Sequence, residues 1–464
     1  MKKVLKRLRA ATAVGACRTV REALRLVGKG GTALPGRAAM LVYPHVLRET
    51  SRGVNTIVVT GSNGKTTTAN LIASAISRAG FRVIANRSGS NMLPGVTAEF
   101  CADAPVLGGK RRPFAVIECD EGSMPSVTPQ LRPRVIVVTN LFRDQTDRYG
   151  SVENVRRAIR SAAERSPETV LCLNADDPAT AELAEGLPNP VLRYGLDAPQ
   201  TPGEDAPDGL DVCPRCGGAL AYEYRTVAHL GGFRCPECGC ARRTPQISAG
   251  DIDTKDPDRS VFTLSVARGR ALRKSTVRLP LPALYNVYNA AAAAAGLTAA
   301  GFGPDTVADA LENAECSFGR MEDFTLGGVK ARMILVKNAV SMNQALAYLR
   351  VAREPFNAVF CLNDRPADGR DVSWLEDADF ERFCAESKAQ TIRIFGMRAD
   401  ALRERLVRAG FPPERVIPAK TEKELLAAVK SSGLPVYILP NYTAMLSFRE
   451  KLCAESGNRE FWKG

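Results

Sequence analysis

Histidine is nearly absent: His45 and His229 are the only two in 464 residues. That leaves little for a mechanism built on imidazole as acid, base or metal ligand. Chemistry here must lean on carboxylates, lysine and metal. Aromatic residues make up only 6%, and no basic stretch is interleaved with stacking aromatics, so no nucleic-acid partner is expected. No run of about 18 apolar residues occurs, which excludes a bilayer-spanning helix. An export signal is not read either, because Arg18, Arg21 and Arg25 interrupt the short apolar stretch after the basic start. No solenoid-type repeat is present.

What is there fits a globular, cytoplasmic protein. Hydrophobic residues make up 45% and charged residues 24%. At roughly 150 residues per domain the length gives about three units. Sixty-three Lys and Arg against 50 Asp and Glu leave a net charge of +13, which favours nucleotides, nucleic acid or a negative membrane face as partners. The 13 cysteines are an odd number, and several sit singly in apolar segments (Cys119, Cys172, Cys361), as in a reduced compartment.

Pattern divides the chain into 1–52, a basic N-terminal segment; 53–315, an ATP-binding central unit with an insert at about 210–243; and 316–464, a C-terminal α/β unit. Leu5, Leu8, Val14 and Val20 with basic residues between them predict an amphipathic helix that covers the next unit or touches anionic lipid. From Asn55 short apolar strands (NTIVVTG, FRVIA, FAVIECD, RVIVVTN, TVLCLNADD) alternate with helices, and ARMILVK, NAVFCLND, TIRIFG and PVYILPN repeat this later. The expected fold class is therefore α/β, a doubly wound, mostly parallel sheet. SVFTLSVARGRALRKSTVRLPLP reads as antiparallel β.

Between the first strand and its helix stands Gly61-Ser62-Asn63-Gly64-Lys65-Thr66-Thr67. At such a junction backbone N–H groups and the helix dipole cradle phosphates; Lys65 would bridge the outer phosphates and Thr66 would ligate Mg²⁺. The strict pattern asks for Gly where Val59 stands, so the strand–loop–helix context carries the assignment over a plain Gly-rich turn. Ligands of open α/β sheets bind beyond the carboxyl ends of strands. Glu118, Asp120 and Glu121 end one strand, and Glu118 is the first choice to hold Mg²⁺. Asn140, Asp144 and Asp147 end the next, and both groups have loop or capping residues as their alternative reading.

These residues resemble the Mur ligase family, ATP-dependent enzymes that activate a carboxylate as an acyl phosphate and couple it to an amine. The resemblance rests on TGSNGKTTT (60–68), IECDE (117–121), TNLFRDQTDRYG (139–150), LNADDP (173–178), YNVYNAAAA (285–293) and FGRMEDF (318–324). It implies that Asn286 and Asn289 approach the adenine and that Arg320 reaches the terminal phosphates. Gln145 stands where members commonly have His, and no Lys occurs between Lys110 and Lys255. The family's second metal site, supported by a carbamylated Lys in several members, is then missing or built without that group. Residues 1–52 are also too few for the uridine-nucleotide-binding domain of the cytoplasmic members.

Cys213-x-x-Cys216 and Cys235-x-x-Cys238, separated by eighteen residues, have zinc-ribbon spacing; four thiolates close a tetrahedral, structural Zn²⁺ site. A redox dithiol is the alternative, and Cys240 and His229 are spare candidate ligands. A ribbon in a Mur-like core, with the short N-terminus and LNDRPADGRDVSW near the C-terminus, resembles the MurT-type branch, the synthetase subunits of lipid II isoglutaminyl synthase. That resemblance implies amidation of the D-glutamate α-carboxylate of lipid II at the inner membrane face. Ammonia would come from a GatD-like glutamine amidotransferase subunit, whose catalytic His an Asp of this chain would orient. Asp371 is favoured, then Asp364, within the group Asp364, Asp368 and Asp371; ordinary turn aspartates are the alternative. Neither histidine sits beside a plausible nucleophilic Cys, so a glutaminase must lie elsewhere. Competing readings are a folylpolyglutamate synthase-type ligase and a non-catalytic nucleic-acid-binding zinc-ribbon ATPase.

Overall fold

The computed structural model describes residues 2–26, 33–86, 90–105, 112–143, 150–198, 210–314 and 319–457. Two sheets dominate it. The first has the order β11-β10-β9-β6-β5-β4-β1-β3-β2. Its strands are β1 (Asn55–Thr60), β2 (Val83–Ala85), β3 (Phe114–Glu118), β4 (Val135–Val138), β5 (Val170–Asn174), β6 (Val191–Leu196), β9 (Ile247–Asp253), β10 (Ser260–Arg268) and β11 (Ala271–Leu279). From β2 through β9 the pairing is parallel, and β10 and β11 close the edge antiparallel. The mostly parallel α/β expectation is borne out. Thr56 to Thr60 in β1 and all of β4 are buried, the mark of parallel strands covered on both faces.

Between β6 and β9 the chain leaves the sheet to make the hairpin β7 (Ala221–Val227) and β8 (Leu230–Arg234). The second sheet has the order β12-β13-β17-β14-β15-β16. It consists of β12 (Arg320–Leu326), β13 (Val329–Ile334), β14 (Phe356–Cys361), β15 (Ala389–Phe395), β16 (Val416–Pro418) and β17 (Val436–Pro440). Only β12 runs antiparallel to its neighbour. Sequence patterning misses β12 because Arg320, Glu322 and Asp323 interrupt its apolar positions; its buried residues alternate, as on a half-covered edge.

Two helices set the site. Lys65–Arg78 follows β1 directly, and Leu284–Ala299 lies against it and the sheet. Ala290 to Ala295 are all buried, so the middle of this helix is apolar all round, as an enclosed segment must be. Small side chains let it approach closely: a Cβ on Gly296 would stand 2.9 Å from Val137 and 3.0 Å from Ile72. The N-terminal helix Lys2–Leu26 packs on the rest of the molecule, and of the expected stripe's described side chains only Val14 is buried there. Ala13, Val14 and Cys17 pack on Ala39, Val46, Ala98 and Cys101, while Leu8 is exposed and Val20 only half-buried. Small residues permit close helix packing, and Arg18 adds hydrogen bonds to the carbonyls of Cys101 and Ala102 at the end of helix Leu93–Asp103. Leu5 carries no described side chain. No helix among the described residues is long and apolar enough to cross a membrane.

Candidate active site

The loop between β1 and helix Lys65–Arg78 is held by β4's carboxyl end. Ser62 N–H donates to the Asn140 carbonyl at 2.8 Å, Asn63 N–H to Asn140 Oδ1 at 2.9 Å, and Thr139 Oγ1 to the Asn63 carbonyl at 2.7 Å. Asn140, read as a possible ligand-facing residue, is thus also a loop brace. Gly61 has φ +122°, and a Cβ there would meet Thr139 Oγ1 at 2.3 Å. Gly64 has φ +83°, and a Cβ would stand 2.0 Å from Asn289 Oδ1. Both positions therefore need glycine for space and for backbone conformation. Gly64→Ala is expected to weaken nucleotide binding at least about tenfold, through left-handed strain of about 1–2 kcal/mol plus displacement of Asn289. Calorimetric titration with an ATP analogue checks this.

Lys65 Nζ donates to Glu121 Oε1 at 2.7 Å, and Thr66 Oγ1 to Glu118 Oε2 at 2.6 Å. Glu118, Asp120 and Glu121 are all buried and face one cleft with Lys65, Thr66 and Arg320. The Glu118 backbone is fixed by Asn86, which accepts from its N–H at 2.9 Å and donates to its carbonyl at 2.7 Å. Burial pulls the Arg320 guanidinium below its usual pKa, and the Glu118 carboxylate opposes that shift. Thr66 and Glu118 offer hard oxygen donors side by side, a set suited to Mg²⁺. Asp144, Gln145 and Asp147 lie outside the described residues.

The cleft continues past Gly64 and Lys65 into a pocket that Thr67, Asn286, Asn289 and Arg320 also line. Asn286 Nδ2 donates to the Pro282 carbonyl at 2.7 Å, and Asn289 Nδ2 to Asn286 Oδ1 at 3.2 Å. Sequence reasoning missed the residue pair that closes the cleft from the second sheet. Lys337 and Asn338 follow β13; Lys337 Nζ donates to the Ser62 carbonyl, and Asn338 Nδ2 to Asn63 Oδ1 at 3.2 Å. The signal existed, since a Lys-Asn pair after the strand ARMILV is a strand-end position like that of Glu118.

Asp364, Asp368 and Asp371 do not form one cluster. Asp364 pairs with Arg398 at 2.8 Å. Asp368 accepts from Thr443 N–H at 2.7 Å and from Thr443 Oγ1 at 2.6 Å, fixing the start of helix Tyr442–Ser456. Asp371 is exposed, and hydrogen bonds from Ser373 hold its carboxyl below the usual range. Asp368 and Asp371 line one groove together with Arg143, Arg156 and Lys337.

Cys213, Cys216, Cys235 and Cys238 bring their sulfurs within 4.8 Å of one another. Cys213 and Cys238 are 3.6 Å apart and Cys216 and Cys235 3.5 Å, close to the edge of about 3.8 Å that a tetrahedron with Zn–S bonds of about 2.3 Å requires. The four residues fit a metal. Of the spare candidates, Cys240 lies outside this group, its carbonyl accepting from Cys235 N–H at 2.7 Å. His229 points away, with Nε2 3.3 Å from Asp177 Oδ1 and its ring 4.8 Å from that of Phe142.

Residues 59–206 match the family model of the Mur ligase middle domain, and residues 335–445 match that of the MurT ligase C-terminal region. Over 93% of this chain and 94% of its own length, the lipid II isoglutaminyl synthase (glutamine-hydrolyzing) subunit MurT of Streptococcus pneumoniae is 32% identical. The chain belongs to the MurT family. The Staphylococcus aureus MurT subunit is also 32% identical, over 98% of this chain and 99% of its own. Among solved structures, the MurF ligase of Thermotoga maritima in complex with ADP shares the fold. Its TM-score is 0.60 at 13% identity, covering 90% of this chain and 84% of that one. One family model spans β2 to β6 of the first sheet and the other spans β14 to β17 of the second. The protein is an ATP-dependent ligase of the Mur fold.

Proposed function

We propose that this chain is the synthetase subunit of a lipid II isoglutaminyl synthase. It converts the D-glutamate α-carboxylate of the stem peptide to the amide at the inner face of the membrane. The observation that carries the reading is the single cleft in which Lys65, Thr66, Glu118, Glu121 and Arg320 meet Lys337 from the MurT-type region. Residues 53–315 carry most of the nucleotide site, and residues 316–464, which add Arg320 and Lys337 to it, face the ammonia-producing partner.

In this reading Gly61 to Thr67 hold the phosphate chain with backbone N–H groups, and Asn286 and Asn289 lie at the base end. Lys65 moves from Glu121 to the outer phosphates, and Arg320 faces the γ-phosphate. Thr66 and Glu118 would hold Mg²⁺, which supplies charge neutralisation on the phosphates. A carboxylate oxygen of the D-glutamyl residue attacks the γ-phosphorus and ADP leaves; ammonia nitrogen then attacks the acyl carbon and phosphate leaves with the C–O electrons. Fixed positive groups stabilise the charge that spreads over the transferring phosphoryl oxygens. The buried walls of the cleft limit hydrolysis of the acyl phosphate.

The ammonia source is a GatD-like glutamine amidotransferase subunit, and Asp371 is the residue offered to it. An exposed, ionised carboxylate suits the orientation of a histidine on another chain. Asp371→Asn is expected to lower glutamine-driven amidation about a hundredfold while amidation driven by ammonium chloride stays within about twofold. Reconstitution with the partner, ATP and lipid II reads both rates; equal loss with both nitrogen sources contradicts the role. The same assay tests the function itself, because no amide formed from either nitrogen source would refute it. The four cysteines hold a structural Zn²⁺.

A further inference from the structure

The hairpin of the cysteine insert ends inside the nucleotide pocket. Val227, the last residue of β7, and Leu230, the first of β8, are 4% and 2% exposed. With Leu281 and Tyr288 they make an apolar wall of the pocket that Gly64, Asn286 and Asn289 also line. The turn between them is tight, and Ala228 adopts φ +50°, a conformation that costs a residue with a Cβ about 1 kcal/mol.

Contacts on both sides hold that turn in place. Thr226 Oγ1 lies 2.6 Å from the Tyr288 hydroxyl, which donates to Asp176 Oδ2 at 2.8 Å. Gly231 N–H donates to the Asp176 carbonyl at 2.9 Å, and Arg242 Nε to Asp176 Oδ1 at 2.7 Å. On the other side His229 meets Asp177 and the Phe142 ring. Phe142 N–H in turn donates to Ser62 Oγ at 2.9 Å, in the phosphate loop. The opposite end of the hairpin runs straight into the knuckle that begins at Cys235.

We propose that this hairpin is a nucleotide-binding element: Val227 and Leu230 pack on the base of the bound nucleotide, and the cysteine knuckles brace them there. The inference rests on the reading of the cleft as the ATP site. An apolar wall beside a few convergent amides is the composition that a flat heteroaromatic ring needs. Folding of the insert and affinity for the base are then two properties of one hairpin, so the insert acts on nucleotide binding without touching phosphate.

Calorimetry on the full chain, with a non-hydrolysable ATP analogue and with inorganic tripolyphosphate, tests this. Leu230→Ala is expected to raise Kd for the analogue about tenfold, the loss of one well-packed side chain, and to leave that for tripolyphosphate within about twofold. Val227→Thr keeps the shape but puts a hydroxyl on the wall, and about a threefold loss confined to the analogue is expected. Analogue affinity within about twofold of the parent in the folded variants, or an equal loss for both ligands, overturns the proposal. Lys65→Ala separates the two levels: it should weaken both ligands, and if it weakens neither, the reading of the cleft fails and this inference with it.

Discussion

Lys65→Ala is expected to lower the amidation rate about a thousandfold or more. Its ammonium group is the positive charge that the helix N-terminus brings to the phosphate loop, bonded to the Gly61 and Ser62 carbonyls and to Glu121. Removing a positive group that stabilises a transferring phosphoryl group costs about 4 kcal/mol, equivalent to about three decades of rate. The substitution also strands the Glu121 carboxylate, whose side chain is only 7% exposed in the pair, and an unpaired buried charge destabilises the fold. Glu121→Gln combined with Lys65→Ala removes that second effect. Steady-state amidation by the double variant, with its melting temperature restored, is expected to stay as low as that of the single variant. Recovery of the rate would mean that Lys65 acts through stability alone.

Removing the four-cysteine cluster proposed to hold Zn²⁺ is expected to have the second-largest effect. The core around the cysteines is small: Cys213, Leu220, Phe233, Cys235 and Cys240 pack with Ala181 and little else. A cluster of that size cannot offset the chain entropy of residues 210–243 by hydrophobic burial alone. Structural zinc contributes about 10–16 kcal/mol in comparable sites, more than many whole domains retain as net stability. Cys213→Ser with Cys235→Ser should abolish bound zinc in elemental analysis and open the insert to protease between residues 210 and 243. Because the insert's hairpin places Val227 and Leu230 in the wall of the nucleotide pocket, nucleotide affinity should fall as well. Protease resistance equal to that of the parent protein would show that the insert folds without metal.

Legibility in the sequence followed chemistry and failed where tertiary packing decides. The strands of the first sheet are readable because both faces are buried, which leaves unbroken apolar runs such as Val135–Val138. The phosphate loop survives the loss of the expected glycine at Val59, since strand, loop and helix follow one another without a break. Edge strand β12 escapes because its alternation is written in Arg, Glu, Asp and Thr as well as in apolar residues. The stripe on the N-terminal helix is only partly read for a related reason: beside the expected Val14, Ala13 and Cys17 make the contact, and small residues carry little hydrophobic signal. Lys337 stands at a legible strand-end position, but its partner Ser62 lies 275 residues away in sequence and the partner of His229, Asp177, lies 52 away; no local pattern contains either pairing. Spacing alone also groups Asp364, Asp368 and Asp371, although each answers to a different partner.

The most direct measurement is an oxygen-isotope transfer. Lipid II carrying ¹⁸O in the D-glutamate α-carboxylate is incubated with this chain, the proposed amidotransferase subunit, glutamine and ATP, and the phosphate and lipid products are analysed by mass spectrometry. An acyl phosphate route places one carboxylate oxygen in each phosphate released and yields the α-amide. Unlabelled phosphate, or ATP cleavage with the carboxylate left intact, would contradict the account.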